Sequence, residues 1–458
     1  MTKRFFAAAT LLALAATPTV SQEAAMPANG EISQILADRI DRDEANVGIA
    51  VAVIEGGEIR FVSHGTIGRD DPAPVNEFTP FEAGSITKVF TSLLLAQLAL
   101  EGEIDLDAPI ADYLPEGTVV PELDGKPITP FDLATHMSGL SGLPEEITAA
   151  GLANPYSGYT DAQLLDWLSR QQLVGPIGER FEYSNAGVAL LGEVIEGVTD
   201  EPVAKTVEQR ILFPLGMESS TLSLGAEKPE GMAIGHDASG TPAPYWDFDA
   251  VAPAGALITT ASDLAKFIAA ANGATETELR PAFEKMLERV RPLDTGSIGL
   301  GWFITPTGSG EIVWHNGRTG GFSSFAGFER TSGNGVVVLS NMSTEAGIND
   351  IGMHLLDPSL PLRVQPVPRA AVEIDPTVLP NYVGDYVLAP GVVLSVTTEQ
   401  DRLFAQLTGQ QRFEIFPMSE TEFFYKVVEA QLSFVTGEDG TVSVVLHQNG
   451  QDLPGVRE

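Results

Sequence analysis

The chain has 458 residues, 43% hydrophobic and 19% charged, an ordinary globular composition with room for two or three domains and unlike a disordered or coiled-coil chain. With 26 Lys+Arg against 62 Asp+Glu, the formal charge of −36 repels phosphate, which argues against nucleic acid and anionic membranes as partners. There is no cysteine, so disulfides, thiolate metal sites and cysteine nucleophiles are excluded together.

In chain order, Lys3 and Arg4 precede an apolar run from Phe5 to Ala16 and then the small, polar stretch Thr17 to Ser21. That order predicts a signal peptide over residues 1–22, with an apolar run too short to span a bilayer. No cysteine follows to carry a lipid, so the expectation is a periplasmic or secreted protein with no membrane anchor after cleavage. Val47–Ile54 and Glu58–Val62 read as two strands joined by a Gly-Gly turn. Residues 85–101 are apolar on nearly every face and stop at Gly102, the pattern of a buried helix. Residues 105–235 look mainly helical. Strands are expected at Ile312–Trp314, Phe322–Phe328 and Gly335–Leu339, with a helix at 344–356. Early and late strands around a helical insert predict an α/β (α+β) fold in which one antiparallel sheet, flanked by helices, is built from both ends of a domain spanning 23–357. Six prolines between Pro358 and Pro380 mark a linker, placed at 358–375. Beyond it, alternating apolar and polar residues predict a small all-β, barrel-like domain over 376–458.

The chemistry narrows by elimination. No G-x-S-x-G nucleophile elbow, no H-E-x-x-H metal pattern and no phosphate-binding glycine loop occurs, so neither a metal nor a cofactor is expected. What remains is Ser85-Ile86-Thr87-Lys88 at the start of the buried helix. Residues three apart share a helical face, so the Lys88 amine can lie beside the Ser85 hydroxyl. A serine hydroxyl needs a neighbouring base, and a lysine serves as one only where burial and nearby positive charge leave it neutral. Alone the pair is weak. It gains weight from Tyr183-Ser184-Asn185, the one Tyr-x-Asn, and His315-Asn316-Gly317, the one His-x-Gly, which follow in order on the insert and on a late strand.

These three motifs, with Phe81-Glu82-Ala83-Gly84, Leu133 to Leu140 and Gly320 to Ser324 around them, resemble the penicillin-recognising serine hydrolases: class C β-lactamases, D-Ala-D-Ala carboxypeptidases, D-aminopeptidases and related esterases. The resemblance covers about residues 30–357 and implies a β-lactamase-like fold. It implies Ser85 as the acylated nucleophile, with Lys88 and Tyr183 sharing the proton transfers. It further implies Asn185 as a ligand of the substrate amide, an oxyanion hole from the backbone N–H groups of Ser85 and Arg318, and His315 and Gly317 at the substrate site. His315 stands where the family often has lysine, and is expected to supply hydrogen bonds and some positive field. The Arg318 guanidinium is expected to offset the missing lysine by binding a substrate carboxylate. Tyr-Ser-Asn with a histidine third motif is closer to the D-peptidase and esterase branch than to the β-lactamases. The partner is then a small molecule or short peptide, and the C-terminal region resembles the lipocalin-like β-domains of some D-peptidases. His136 is expected to brace a turn; Trp314 could line the groove or pack in the core. Self-association is left open.

Overall fold

The protein is described from a computed structural model covering residues 26–149, 153–222, 228–308, 310–344, 347–363, 371–389, 391–408, 412–425, 430–437, 440–448 and 451–457. The expected signal peptide and the middle of the expected linker lie outside the described residues.

The strands of the first domain are β1 (Gly48–Glu55), β2 (Glu58–Gly68), β3 (Asp71–Pro74), β4 (Phe81–Glu82), β5 (Ile258–Thr259), β6 (Arg291–Leu293), β7 (Gly296–Ile298), β8 (Phe303–Pro306), β9 (Glu311–Arg318), β10 (Ser323–Glu329) and β11 (Gly335–Ser340). Nine form one sheet in the order β3-β2-β1-β11-β10-β9-β8-β7-β6, and β4 pairs with β5 apart from it. β1 lies between β2 and β11, with Val51 opposite both Val62 and Val338. Early and late strands therefore close one sheet, as expected.

The unbroken apolar run of β1 is explained by what covers it. Successive side chains of a strand point to opposite faces. Ala50, Ala52 and Ile54 join the large core beneath the helical layer. Ile49, Val51 and Val53 join a second core closed by Ile32 and Leu36 of the Asn29–Ala37 helix and by Ile351 and Leu355 of the Asn349–Leu356 helix. A strand buried on both faces needs no polar alternation.

The buried helix runs Thr87–Glu101 and ends at Gly102, whose φ of 77° is the left-handed C-cap that glycine adopts freely. It does not begin at Ser85 as expected: Gly84–Ile86 is a 3₁₀ turn entered through Gly84 at φ 53°. The late helix begins at Asn349, later than predicted. Between Asp105 and Gly235 the helices Asp161–Arg170 and Asn185–Thr199 are joined by much irregular chain. The sequence reading assigned nothing between 236 and 311, where the structure has the helices Ala261–Ala271 and Arg280–Glu288 and the edge strands β6 to β8. Those strands span three or four residues, too few for a period of two to declare itself.

The C-terminal region is a closed eight-stranded barrel, β12–β19, from Gly384 to Arg457. Its interior is packed with Tyr382, Tyr386, Leu394, Phe423, Leu432 and Phe434, so it is filled by side chains as small barrels are. The Val372 N–H donates to the Pro417 carbonyl, so the chain is already docked on the barrel there. No helix among the described residues is long and apolar enough to cross a membrane.

Candidate active site

Ser85 and Lys88 come from one turn and the helix it opens. Lys88 Nζ donates to Ser85 Oγ at 2.9 Å and to the Ala254 carbonyl at 2.7 Å. The turn is pinned from beneath, because Thr87 Oγ1 donates to the Gly84 carbonyl at 2.6 Å and accepts from the Leu257 N–H at 2.9 Å. Lys88 is 1% exposed, and burial alone holds its ammonium well below the usual lysine range. A buried amine that prefers to be neutral, in contact with a hydroxyl, can take that hydroxyl's proton.

Tyr183 is brought to the same point by the insert. Ser184 explains the middle of its motif: it caps the Asn185–Thr199 helix, its Oγ accepting from the Gly187 N–H at 2.8 Å and donating to the Ser141 carbonyl at 2.7 Å. His136, at φ 55°, accepts the Ser184 N–H on Nδ1 at 3.2 Å and lies 4.3 Å, ring to ring, from Tyr183. It braces the turn, as expected. Lys88 Nζ sits 5.0 Å from the Tyr183 ring centroid. Burial pushes the Tyr183 hydroxyl up, against the pull of its hydrogen bond with Ser85, so it stays protonated.

The two N–H groups expected to form an oxyanion hole, those of Ser85 and Arg318, lie on two backbones in close approach. A methyl built on Gly84 would lie 2.9 Å from the Arg318 nitrogen, and one built on Gly317 would lie 2.9 Å from the Ser85 nitrogen. Arg318 pairs with Ser323 beside the Thr319 N–H to Phe322 carbonyl bond. The alternation of an antiparallel ladder therefore turns the Arg318 N–H away from β10, toward the Gly84–Ile86 turn. Ser324 Oγ locks the approach by donating to the Ala83 carbonyl at 2.6 Å.

Above Ser85 opens a groove of about 370 Å³. Ser85, Tyr183, Asn185, Gly317 and Arg318 line it; Lys88 and His315, both 1% exposed, are not among the residues that line it. Asn185 Nδ2 is tied to the Tyr156 hydroxyl at 3.3 Å. Arg318 is exposed and has no carboxylate partner among the described residues.

His315 corrects an expectation. Its Nδ1 is bonded to its own Asn316 carbonyl at 2.5 Å, and burial with Lys88 beside it pushes its pKa down to about 3. It is uncharged at neutral pH and supplies no positive field. The physical reason is burial first and crowding second: Lys88, His136 and His315 share one buried region, where Lys88 disfavours charge on both histidines and His315 disfavours it on His136. Trp314 also proves to be a packing residue, stacked on Phe325 with its Nε1 donating to Thr305 Oγ1 at 2.9 Å.

The sequence reading missed Tyr156, Trp246 and Asn349 on the groove wall. They stand singly in loops or at a helix start. One signal was present in Tyr245 to Asp249, an aromatic-rich run in a loop. Trp246 and Phe248 from it pack with Tyr156 at 5.3 and 5.1 Å between ring centroids. A larger cavity, about 730 Å³, lies along Ser157 and Phe248 and is lined by Asp161, Glu193 and Glu196; it contains none of Ser85, Lys88 and Tyr183.

The chain is similar to penicillin-binding protein 4* of Bacillus subtilis, 26% identical over 89% of this chain and 94% of the relative. It is also similar to the D-alanyl-D-alanine-carboxypeptidase/endopeptidase AmpH of Escherichia coli, 28% identical over 75% of this chain and 94% of the relative. Among solved structures, the octameric penicillin-binding protein homologue from Pyrococcus abyssi superposes with a TM-score of 0.65 at 24% identity, over 93% of this chain and 99% of that one. Residues 368–456 match a domain of unknown function, DUF3471, and residues 33–352 match the family described as Beta-lactamase. That second match takes in well over half of the chain, and with it the protein belongs to the beta-lactamase family.

Proposed function

We propose that the protein is an exported serine hydrolase that opens an amide bond, in a β-lactam or a D-amino-acid peptide, through an acyl-Ser85 intermediate. One observation carries this reading: a buried lysine, driven toward its neutral form, donates to the serine hydroxyl at 2.9 Å. Lys88 takes the Ser85 proton as Oγ bonds to the substrate carbonyl carbon. The carbonyl electron pair moves onto oxygen, which the Ser85 and Arg318 N–H groups receive. Such donors are each worth about 10² to 10³ in kcat where they have been removed. When the C–N bond breaks, the nitrogen leaves with the Tyr183 hydroxyl proton, replaced from the Lys88 ammonium. Water then repeats the attack on the acyl carbon and frees Ser85. Tyr183, held protonated, suits the donor role better than that of first base. Export is supported by the charged, apolar and small-residue order of residues 1–22.

The test is a panel: a fluorescent penicillin, a D-Ala-D-Ala peptide and p-nitrophenyl esters, read by turnover and intact mass. A stable or transient adduct with penicillin and turnover of the peptide or the β-lactam are expected. Turnover of esters alone would favour a carboxylesterase, which a site with no charge on His315 also fits. An adduct that never turns over would mark a sensor. Neither adduct nor turnover would sink the enzyme.

Arg318 is the exposed cation on the groove wall and the proposed anchor for a substrate carboxylate. Arg318→Ala is expected to lower kcat/KM for a carboxylate-ended peptide by about 10- to 100-fold, the worth of one charged hydrogen bond, and to spare the same peptide with an amidated end. Equal losses on both peptides would dismiss the assignment.

A further inference from the structure

The Glu82 carboxyl, three residues before the nucleophile, is buried at 3% exposure, and no step above uses it. Its Oε1 accepts the Trp246 backbone N–H at 2.9 Å, while its Oε2 is buried without a hydrogen-bond partner. Facing it, the Thr319 hydroxyl is close enough to favour the carboxylate, yet it too is buried without a bond of ordinary geometry.

The three groups that meet here all serve the groove. Glu82 pairs with Ile258 and leads through Ala83 and Gly84 into Ser85. Trp246 is groove wall. Thr319 follows Arg318 in the turn closed by its N–H to the Phe322 carbonyl, and the next residue, Gly320, packs so tightly on Trp246 that a methyl there would lie 2.7 Å from the indole nitrogen. The turn carrying the second oxyanion donor and the wall of the groove therefore abut over one carboxyl group.

We propose that Glu82 is a positioning residue whose proton decides whether the Thr319–Gly320 turn sits closed on Trp246, so that the groove binds substrate tightly when Glu82 is protonated and loosely when it is ionised. Protonated, Oε2 donates to Thr319 Oγ1 and both unpartnered atoms are satisfied in a dry contact. Ionised, Oε2 accepts from the Thr319 hydroxyl, which favours the ion, but a buried charge needs more donors than that one, and the contact loosens to admit water. Burial holds this carboxyl near 7, so both states are populated around neutral pH. The other groups facing it act in opposite senses. Lys228 favours the ion, Asp247 disfavours it, and Tyr245 is itself pushed up by burial and by Glu82.

The kinetic readout rests on the serine-hydrolase reading; a second readout does not. In wild type, KM is expected to rise about threefold to tenfold as pH passes from 6 to 8, the size of one net hydrogen bond. Glu82→Gln keeps an acceptor for Trp246 and cannot ionise, so its KM should stay at the low-pH value across that range, with kcat following the wild-type profile. Thr319→Val removes a hydrogen bond that favours the ion, so its KM inflection should move to higher pH. Glu193, also near 7 but in the larger cavity, is the control: Glu193→Gln should keep the inflection. Without substrate, tryptophan fluorescence should titrate near pH 7 in wild type and not in Glu82→Gln. If wild type turns substrate over but Glu82→Gln keeps the KM inflection, or if its fluorescence titrates as wild type does, the proposal is wrong. If no substrate is turned over, the hydrolase reading fails and fluorescence alone decides the role of Glu82.

Discussion

Replacing Ser85 by alanine is expected to abolish the penicillin adduct and lower kcat by about 10⁶-fold, the size seen when a serine nucleophile is removed from a site that works as a unit. The size follows from the arrangement. Ser85 is the hydroxyl to which Lys88 Nζ donates, and it reaches the groove between the two close backbones. Folding should be indifferent to the change. The turn is pinned by Thr87 Oγ1, not by the Ser85 side chain, and Lys88 keeps its bond to the Ala254 carbonyl. A thermal midpoint within about 2 °C of wild type, alongside lost activity and lost intact-mass shift, is the expected pair of results. An alanine variant that still formed the adduct would place the acylated residue elsewhere.

Gly317→Ala should be nearly as damaging, although no functional atom is removed. The added methyl would fall within bonding range of the Ala83 carbonyl oxygen, 2.5 Å from Ser324 Oγ and 2.9 Å from the Ser85 nitrogen. Two of these atoms are backbone, so no side-chain rotation relieves the overlap, and β9 must move away from the nucleophile's turn. Gly317 has no positive φ, so the cost is steric and not conformational. Overpacking of this kind costs about 1–3 kcal/mol, which predicts a fall in thermal midpoint of about 1–4 °C in a domain of this size. The Arg318 N–H moves with β9, so a loss of about 10² to 10³ in kcat is expected from one misplaced oxyanion donor. Stopped-flow acylation and a thermal melt check both effects. Wild-type acylation in the alanine variant would show that the close approach is dispensable.

How much of this was legible without coordinates depends on how local each signal was. The helix after Ser85 is apolar on every side over fifteen residues, and it is found where that run lies. Its entry differs from expectation because Gly84 adopts a positive φ against Arg318, a contact between residues far apart in the chain. The closure of one sheet by early and late strands was legible because β1 and β11 are both continuous apolar runs. β6 to β8 are too short to carry such a pattern. Tyr156, Trp246 and Asn349 reach the groove from loops or a helix start that no motif marks.

By itself, the sequence determined the family resemblance, the three motifs, the two-ended sheet and the all-β character of the C-terminal region. These rest on residue identity, spacing and periodicity, which need no neighbours to be read. The tertiary structure alone decided which groups carry charge and which walls they face. Lys88 and His315 are driven toward neutrality, and Glu82 is held near 7 under Trp246, because burial and through-space neighbours set a proton's free energy, and both come from segments distant in sequence. An acidic chain with few lysines thus drives Lys88, the proposed base, toward its neutral form by enclosing it, and leaves Arg318 as the exposed cation on the groove wall.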